Sequence, residues 1–198
     1  SGKNEAVVEF QVAACGFLFG NHFGSSHLAG DAKPVSEFLT FPWGSNSITN
    51  PLFASQTHRM VTEDLDKGRT QKIATLNTRP EVLHTLSFCS DSKHRPDNCG
   101  RCAKCVRTKL RFVLLDGAVP PIFNDNTFTT NMVRKMDVRD RVVRQTFLTI
   151  SAESGAEADG PILDIMREML QRYYERRKWL ATAGKLGSKF KRNVLGRK

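Results

Sequence analysis

The sequence predicts an α/β protein that carries a zinc loop of four cysteines and a helical C-terminal extension. Three observations lead to this prediction. Stretches with helix-like apolar spacing alternate with short apolar runs that are typical of strands. Four of the five cysteines lie between residues 89 and 105. From residue 161 onwards, apolar residues recur at helical intervals and the chain ends in a basic tail.

The composition is that of a folded protein. A chain of 198 residues with 39% hydrophobic and 25% charged residues suits one domain with an appendage. No segment approaches the roughly 18 apolar residues of a membrane helix. No basic start followed by an apolar core marks a secretory signal either. We therefore expect a soluble, cytoplasmic protein, whose start at Ser1-Gly2 resembles a cloning scar or the beginning of a fragment.

The positive charge is concentrated at the C-terminus. The net charge is +10, and residues 167–198 contain 11 Lys or Arg against two acidic residues. The tail also interleaves Trp179, Leu180 and Phe190 with these charges. Such a pattern can bind nucleic acid or an anionic surface. Alternatively, it is a docking helix with a frayed basic end.

Local patterns predict the elements in order. The segment 24–52 is rich in Gly, Ser and Pro and is expected to be loop. The run 58–62 is a candidate strand, and the apolar run 83–88 is strand-like. Residues 151–160 are small and acidic, which favours a linker. Helical spacing predicts a buried helix at 5–19 and further helices at 70–77, 103–115, 134–150 and from Pro161.

The clustered cysteines predict a metal site. Cys89, Cys99, Cys102 and Cys105 follow the spacing C-x9-C-x2-C-x2-C. Disulfides are rare inside cells, and four thiolates satisfy the tetrahedral preference of zinc. An iron–sulfur cluster and a redox CxxC pair are the alternatives. His94 can also replace one cysteine, whereas the fifth cysteine, Cys15, is expected to be a buried apolar residue.

The residues around these cysteines resemble a known family. Ser87-Phe88-Cys89, followed by the run Asn98 to Arg107 (NCGRCAKCVR), is similar to the zinc-binding end of 7-cyano-7-deazaguanine synthase and its relatives. Upstream, Thr70-Gln71-Lys72-Ile73 looks like a short helix start of that family. The segments GSSH at 24–27, PWGSN at 42–46 and NPL at 50–52 resemble a less characterised branch of the same superfamily.

The resemblance carries implications for fold and chemistry. These proteins look like N-type ATP pyrophosphatases, with the doubly wound parallel sheet of adenine-nucleotide alpha-hydrolases. Their chemistry is ATP-dependent activation of a carboxylate, with release of pyrophosphate, followed by attack of a nitrogen nucleophile. The resemblance therefore implies ATP and Mg²⁺ as cofactors and a small carboxylate or heterocycle as substrate. Together with the local patterns, it predicts an organisation in four parts: 1–125 for the ATP-pyrophosphatase-like portion with its zinc loop at 87–107, 126–150 for a helical connection, 151–160 for a linker and 161–198 for a basic amphipathic helix and tail.

One feature of the family is absent from the sequence. The phosphate-binding loop SGGxDS, whose glycines and backbone N–H groups hold pyrophosphate at a helix N-terminus, does not occur in this chain. The chain thus resembles the C-terminal portion of such an enzyme. We expect a truncated chain, an N-terminal half or second chain that carries the loop, or a degenerate protein without activity.

Several polar residues are candidates for substrate or nucleotide binding. The resemblance suggests Ser25, Ser26 and His27, which are otherwise ordinary loop residues. Lys72 can bind phosphate or a carboxylate, or it can be an exposed helix lysine. Asp64 and Asp66 are candidates for Mg²⁺ or for helix capping, with capping favoured. The basic residues that surround the metal loop can contact phosphate or form a solvated helix face: Arg101, Lys104, Arg107, Lys109 and Arg111.

The resemblance implies one function, and the charge pattern implies an alternative. The first is a zinc-stabilised, substrate-binding portion of an ATP-dependent C–N ligase, which makes the chain part of an enzyme. The alternative is a noncatalytic zinc-binding module that binds nucleic acid or an anionic surface through its basic tail. The amphipathic final helix also leaves a surface through which the chain could form an oligomer.

Overall fold

The computed structural model describes residues 3–30, 47–154 and 158–195, with the side chains of 10–30, 47–154 and 158–182. The chain divides into two compact units, Ser1–Arg79 and Pro80–Lys198. This boundary falls inside the portion predicted at 1–125, and the four-part organisation stays a prediction. The segment PWGSN at 42–46 lies outside the described residues.

The first unit combines helices with a small parallel sheet. Helix α1 spans Lys3–Leu18, strand β1 Ser25–Ala29, strand β2 Arg59–Glu63 and helix α2 Arg69–Asn77. The strands run parallel, with Ser25 opposite Arg59 and Ala29 opposite Glu63. The α/β class is therefore confirmed, but the described residues show two strands and no doubly wound sheet. The predicted strand at 58–62 and helix at 70–77 are confirmed within a residue.

The predicted helix α1 is confirmed, but the prediction that this helix is buried is wrong. The helix forms as expected, and Ala13 is buried. Phe10 and Leu18, however, are 64% and 78% exposed, and Cys15 is exposed rather than buried. Apolar residues occur all around this helix, whereas one neighbouring surface can cover only one side of it. The apolar spacing could not indicate how much of that surface is covered.

Glycine lets α1 approach the sheet closely. A Cβ atom on Gly16 would lie 2.9 Å from the Ser26 hydroxyl and 3.1 Å from the His58 ring. That hydroxyl and the His58 Nε2 atom are 2.9 Å apart, and the His58 Nδ1 atom lies 2.9 Å from the Phe23 carbonyl oxygen. His58 is only 2% exposed, so its polar ring atoms are satisfied inside the protein. Ser26 thus lies on the sheet face that packs against α1.

The second unit is built from helices. Helix α3 spans Pro80–Leu83, α4 Ala103–Asp116, α5 Thr130–Arg134, α6 Arg141–Ser154 and α7 Pro161–Leu195. Gly117, with φ 70°, ends α4 in the left-handed conformation that favours glycine. Asp140 accepts hydrogen bonds from the backbone N–H groups of Val142 and Val143 and so starts α6. Pro161 opens α7 as the sequence predicts.

The core of this unit lies between α4, α5, α6 and α7. Leu110, Val133, Phe147 and Met166 are each fully buried, one from each helix. Burial along α7 extends to Leu170 and then declines, so that Leu180 and Trp179 are 51% and 68% exposed. The predicted apolar stripe of α7 therefore packs only through roughly its first three turns.

Two boundaries in this unit differ from the predictions. The apolar run at 83–88 is not a strand, because Leu83 ends α3 and the following residues form turns and irregular chain. The helix predicted at 134–150 is divided: α5 ends at Arg134 and α6 begins at Arg141. Helix α6 also continues to Ser154, into the predicted linker at 151–160. Among the helices of the described residues, none has the length and apolar character needed to cross a bilayer.

We expect Phe147→Ala to destabilise the second unit strongly. Phe147 is fully buried in the core, so the substitution should cost about 3–5 kcal/mol of the free energy of unfolding. Trp179→Ala, at a 68% exposed position in the same unit, should change it by about 0.5 kcal/mol or less. Urea unfolding followed by circular dichroism measures both, and equal losses would contradict the described core.

Candidate metal centre

Four thiols converge on one point in the second unit. Cys89 lies in the irregular segment after α3, and Cys99 lies in the loop before α4. Cys102 is the N-cap residue of α4, and Cys105 lies in its first turn. All four Sγ atoms lie within 4.8 Å of one another, and none is in a disulfide. The predicted cysteines are thus brought together as a group that can hold a metal ion.

The sulfur separations fit a single tetrahedral ion. Cys89 and Cys102 have their Sγ atoms 3.9 Å apart, as do Cys99 and Cys105. With metal–sulfur bonds of about 2.3 Å, a tetrahedron separates its sulfurs by about 3.8 Å. A disulfide would require about 2.05 Å. An iron–sulfur cluster binds its cysteines through different iron atoms around a larger core, and therefore needs more widely spaced thiolates.

Backbone N–H groups point at the sulfurs. Cys99 Sγ accepts from the N–H groups of Arg101 and Cys102, at 3.4 and 3.3 Å. Cys102 Sγ accepts from the N–H group of Cys105 at 3.4 Å. These donors occur because each two-residue gap turns the chain back towards the preceding cysteine. Such hydrogen bonds favour the thiolate, which is the form that binds metal.

The two thiols at the start of α4, those of Cys102 and Cys105, differ in pKa. Burial raises the pKa of the Cys102 thiol, but hydrogen bonds from Ser90 and from the Cys105 backbone outweigh this effect and lower the pKa to about 6. Burial raises the pKa of the Cys105 thiol well above its usual range. A metal ion that binds at neutral pH must therefore displace a proton from Cys105.

The loop between the second and third cysteines requires a glycine. Gly100 has φ 77°, a conformation that L side chains rarely adopt. A Cβ atom at this position would lie 2.1 Å from the Asp125 carbonyl oxygen and 2.9 Å from the Lys109 ammonium. The backbone of the metal loop is therefore pressed directly against the segment that carries Asp125.

A buried lysine holds that segment in place. The Lys109 ammonium is fully buried and donates to the carbonyl oxygens of Asp125 and Thr127, the latter at 2.9 Å. It also lies 5.1 Å from the centroid of the Phe123 ring. Neither of the roles considered for Lys109 from the sequence, phosphate contact or solvated helix face, fits this burial. Arg111 is likewise 5% exposed, whereas Arg101 and Lys104 are exposed.

Asn98 joins the two sides of the site. Its side-chain amide donates to the carbonyl oxygens of Leu86 and Ile122, at 2.8 and 3.2 Å. Its side-chain oxygen accepts from the backbone N–H group of Phe88 at 3.0 Å, next to the first cysteine. Asn98 is 2% exposed, so this network is shielded from water. Sequence reasoning gave Asn98 no role, and its position directly before a cysteine was the available signal.

An ion pair between the exposed Arg101 and the largely buried Asp125 borders the loop. Arg101 Nε donates to Asp125 Oδ2 at 2.7 Å, and the Asp125 carboxylate also accepts from the Thr127 hydroxyl and backbone N–H. The Thr127 hydroxyl and the Arg101 guanidinium hold the pKa of the Asp125 carboxyl well below its usual range. Asp125 thereby fixes the turn whose backbone lies against Gly100.

The other candidate residues are distributed over both units. Ser25, Ser26 and His27 lie on β1 rather than in a loop. The hydroxyl of Ser25 is 2.9 Å from His27 Nε2, and His27 Nδ1 is 2.6 Å from Glu63 Oε1. Ser25 and His27 line an open pocket with Arg59, on the strand face opposite the one that carries Ser26. Glu63 was not predicted, because its pairing with His27 depends on the register of the two strands.

Lys72 and Arg107 lie in different units. In the first, Lys72 Nζ donates to the Gly30 carbonyl oxygen at 2.5 Å, immediately after β1. In the second, Arg107 is partly buried on α4, and burial lowers the pKa of its guanidinium. Asp64 pairs with Lys67 at 2.9 Å, and this hydrogen bond lowers the pKa of its carboxyl. Binding roles for these residues stay predictions.

Known proteins offer no similarity from which the role of this site could be inferred. Protein-family models, curated proteins and solved structures provide no match to this chain.

Replacing one ligand should abolish metal binding. We expect Cys105→Ser to reduce the metal content from one ion per chain to a small fraction, because a serine hydroxyl does not supply the fourth thiolate. Elemental analysis of the purified protein measures the stoichiometry. Cys15→Ser, at an exposed thiol in the first unit, should retain the full content. An unchanged metal content in Cys105→Ser would contradict the site.

Two glycine substitutions separate contact from backbone strain. Gly100→Ala should lower the free energy of unfolding by more than about 2 kcal/mol, because the new methyl group meets the Asp125 backbone in a strained conformation. Gly117 also has a positive φ, but a Cβ atom there would meet no other atom within 4 Å. Gly117→Ala should therefore lower the free energy of unfolding by about 1 kcal/mol. Chemical unfolding of both variants tests this order, and a reversed order would refute the close contact at Gly100.

Proposed function

We propose that Cys89, Cys99, Cys102 and Cys105 bind one structural zinc ion in the substrate-binding portion of an ATP-dependent C–N ligase. The ligase would be related to 7-cyano-7-deazaguanine synthase. The observation that carries the proposal is the convergence of four thiols within 4.8 Å, at the motif on which the family resemblance rests. The metal assignment and the enzymatic assignment have separate support.

Zinc is favoured by the ligand set and its dimensions. Four thiolates suit a soft or borderline ion with tetrahedral geometry, and the 4.8 Å limit on the separation of all four sulfurs suits one ion rather than a cluster. When bound, zinc supplies four bonds and no open position for a substrate or water, so its role is structural. It would join Cys89, which precedes the loop, to Cys102 and Cys105 at the start of α4.

The first unit supports the ligase assignment through its sheet. Parallel strands need a crossover connection and are typical of α/β enzymes, which bind ligands beyond the carboxyl ends of the strands. Lys72 places its ammonium at the Gly30 carbonyl, at the carboxyl end of β1. A cation at this edge suits a phosphate or a substrate carboxylate. Ser25 and His27 add hydrogen-bonding groups on the open face of the same strand.

The proposed reaction assigns limited tasks to these residues. The substrate carboxylate attacks the α-phosphate of ATP, pyrophosphate leaves, and a nitrogen nucleophile then displaces AMP from the activated carboxylate. Lys72 would orient an anionic group of the substrate or nucleotide. Ser25 and His27 would contact the rest of the substrate. Mg²⁺ and the pyrophosphate would be held by the SGGxDS loop of an N-terminal half or second chain.

Exposed apolar surface supports such a partner segment. Parallel sheets are usually covered on both faces and extend beyond two strands. Among the described residues, β1 and β2 pair only with each other. Phe19 and Phe23, which follow α1, are 56% and 63% exposed, and Phe10 and Leu18 on the helix itself are 64% and 78% exposed. A segment that adds strands and covers these side chains would complete the sheet.

Pyrophosphate release tests the enzymatic proposal. The protein is isolated as it occurs in the cell, with any chain that supplies a phosphate loop, and is incubated with ATP, Mg²⁺ and a panel of heterocyclic carboxylates. We expect pyrophosphate release that depends on one of these carboxylates. Lys72→Met should reduce kcat/KM about 100-fold, because it removes an oriented charge next to the reacting groups.

A neighbouring lysine provides the control. Lys67→Met removes an exposed ammonium that pairs with Asp64, and should change kcat/KM less than about twofold. Thermal unfolding of both variants separates loss of the fold from loss of binding. The proposal fails if no carboxylate supports pyrophosphate release by the zinc-loaded protein, or if a folded Lys72→Met variant keeps full activity.

A further inference from the structure

An arginine-rich groove lies in the second unit, away from the cysteine cluster. It runs between the segment before α6 and the exposed part of α7, and encloses about 540 Å³. This volume falls in the range of roughly 300–1,000 Å³ that is typical of ligand pockets. We call it the arginine groove, and its principal lining residues are Arg139, Arg172, Tyr173, Arg176, Arg177 and Leu180.

Positive charge dominates the arginine groove. Asp137 is the one acidic residue in its lining, and its carboxylate is 2.8 Å from the Arg139 guanidinium. Arg172 is fixed by an ion pair with Glu168 at 2.5 Å. Among the described residues, no acidic side chain pairs with Arg176 or Arg177. Two guanidinium groups are therefore held in place by carboxylates, and two others are available to an anion.

The Tyr173 ring contacts the guanidinium of Arg177. The Arg177 guanidinium carbon lies 5.9 Å from the centroid of the Tyr173 ring, and that of Arg144 lies 4.8 Å from it. Arg144 in turn donates to the carbonyl oxygens of Val138 and Arg139, which tie the ring to the segment before α6. The result is a flat guanidinium on an aromatic support, beside the apolar side chain of Leu180.

We propose that the arginine groove binds single-stranded nucleic acid. Arg176 and Arg177 contact successive phosphates, and an unpaired base packs against the Arg177 guanidinium and Leu180. Grooves that combine positive charge with stacking surfaces are typical of single-strand binding. The concave shape of this site suits an extended single strand better than the surface of an anionic membrane. The site is distinct from the zinc cluster and from the residues proposed to bind the ligase substrate.

Fluorescence anisotropy with a labelled oligouridine of about 16 nucleotides tests this proposal on the whole chain. The double variant Arg176→Glu/Arg177→Glu should weaken the affinity at least about tenfold. It should also reduce the slope of log K against log salt by about 1.4, or 0.7 for each lost phosphate contact. The matched control, Lys135→Glu/Lys178→Glu, changes the net charge equally outside the groove lining and should weaken binding less than about threefold.

A charge-preserving variant tests the stacking. Arg177→Lys keeps the positive charge but removes the flat guanidinium, so it should weaken single-strand binding about two- to fivefold without changing the salt slope. A duplex of the same length should not respond to this substitution. Equal zinc content and equal thermal unfolding show that every variant is folded.

Three results would overturn the proposal. The first is an equal loss of affinity in the groove and control double variants, which would indicate general attraction by the basic chain. The second is no oligouridine binding by the unmodified protein at about 0.1 M salt. The third is binding to phosphatidylserine-containing vesicles but not to oligouridine, which would assign the groove to a membrane surface.

Discussion

The second unit brings four sulfur atoms within 4.8 Å of one another. Four thiolates repel one another at this distance, and a divalent ion turns that repulsion into attraction. The same helix that supplies Cys102 and Cys105 also supplies Val106 and Leu110 to the core. Metal binding and core packing would therefore act on one element, α4, and each would favour the orientation of that helix that the other requires.

Lys109 connects these two contributions. Burial lowers the pKa of its ammonium, while negative charge on Asp125, Cys105 and Cys99 favours the charged form. Four thiolates around a divalent ion leave two negative charges in excess, so a metal-loaded site offsets the cost of burying this ammonium. The ammonium in turn binds the backbone of Asp125 and Thr127, which closes over Gly100. The residue thus links the charge of the site to the shape of its loop.

The sequence indicated the parts of this structure that depend on local chemistry. The convergence of the four cysteines and the helix at 103–115, observed as α4 at Ala103–Asp116, depend mainly on neighbouring residues, and both were predicted. The burial of Lys109 depends on a segment 16 residues away, and a lysine on a helix looks exposed when that segment is unknown. The exposure of Phe10 and Cys15 and the pairing of His27 with Glu63 depend likewise on tertiary neighbours.

The metal centre and the ligase assignment rest on different physical grounds. A two-residue gap between cysteines, with backbone N–H groups directed at sulfur, is a local solution that any fold can use to bind a metal ion. The cluster therefore indicates the metal more directly than it indicates the reaction. The proposed reaction would depend on the first unit, where Ser25 and His27 lie on β1 and Lys72 contacts the Gly30 carbonyl that follows this strand. Zinc binding would consequently survive in this chain even where ATP-dependent chemistry did not.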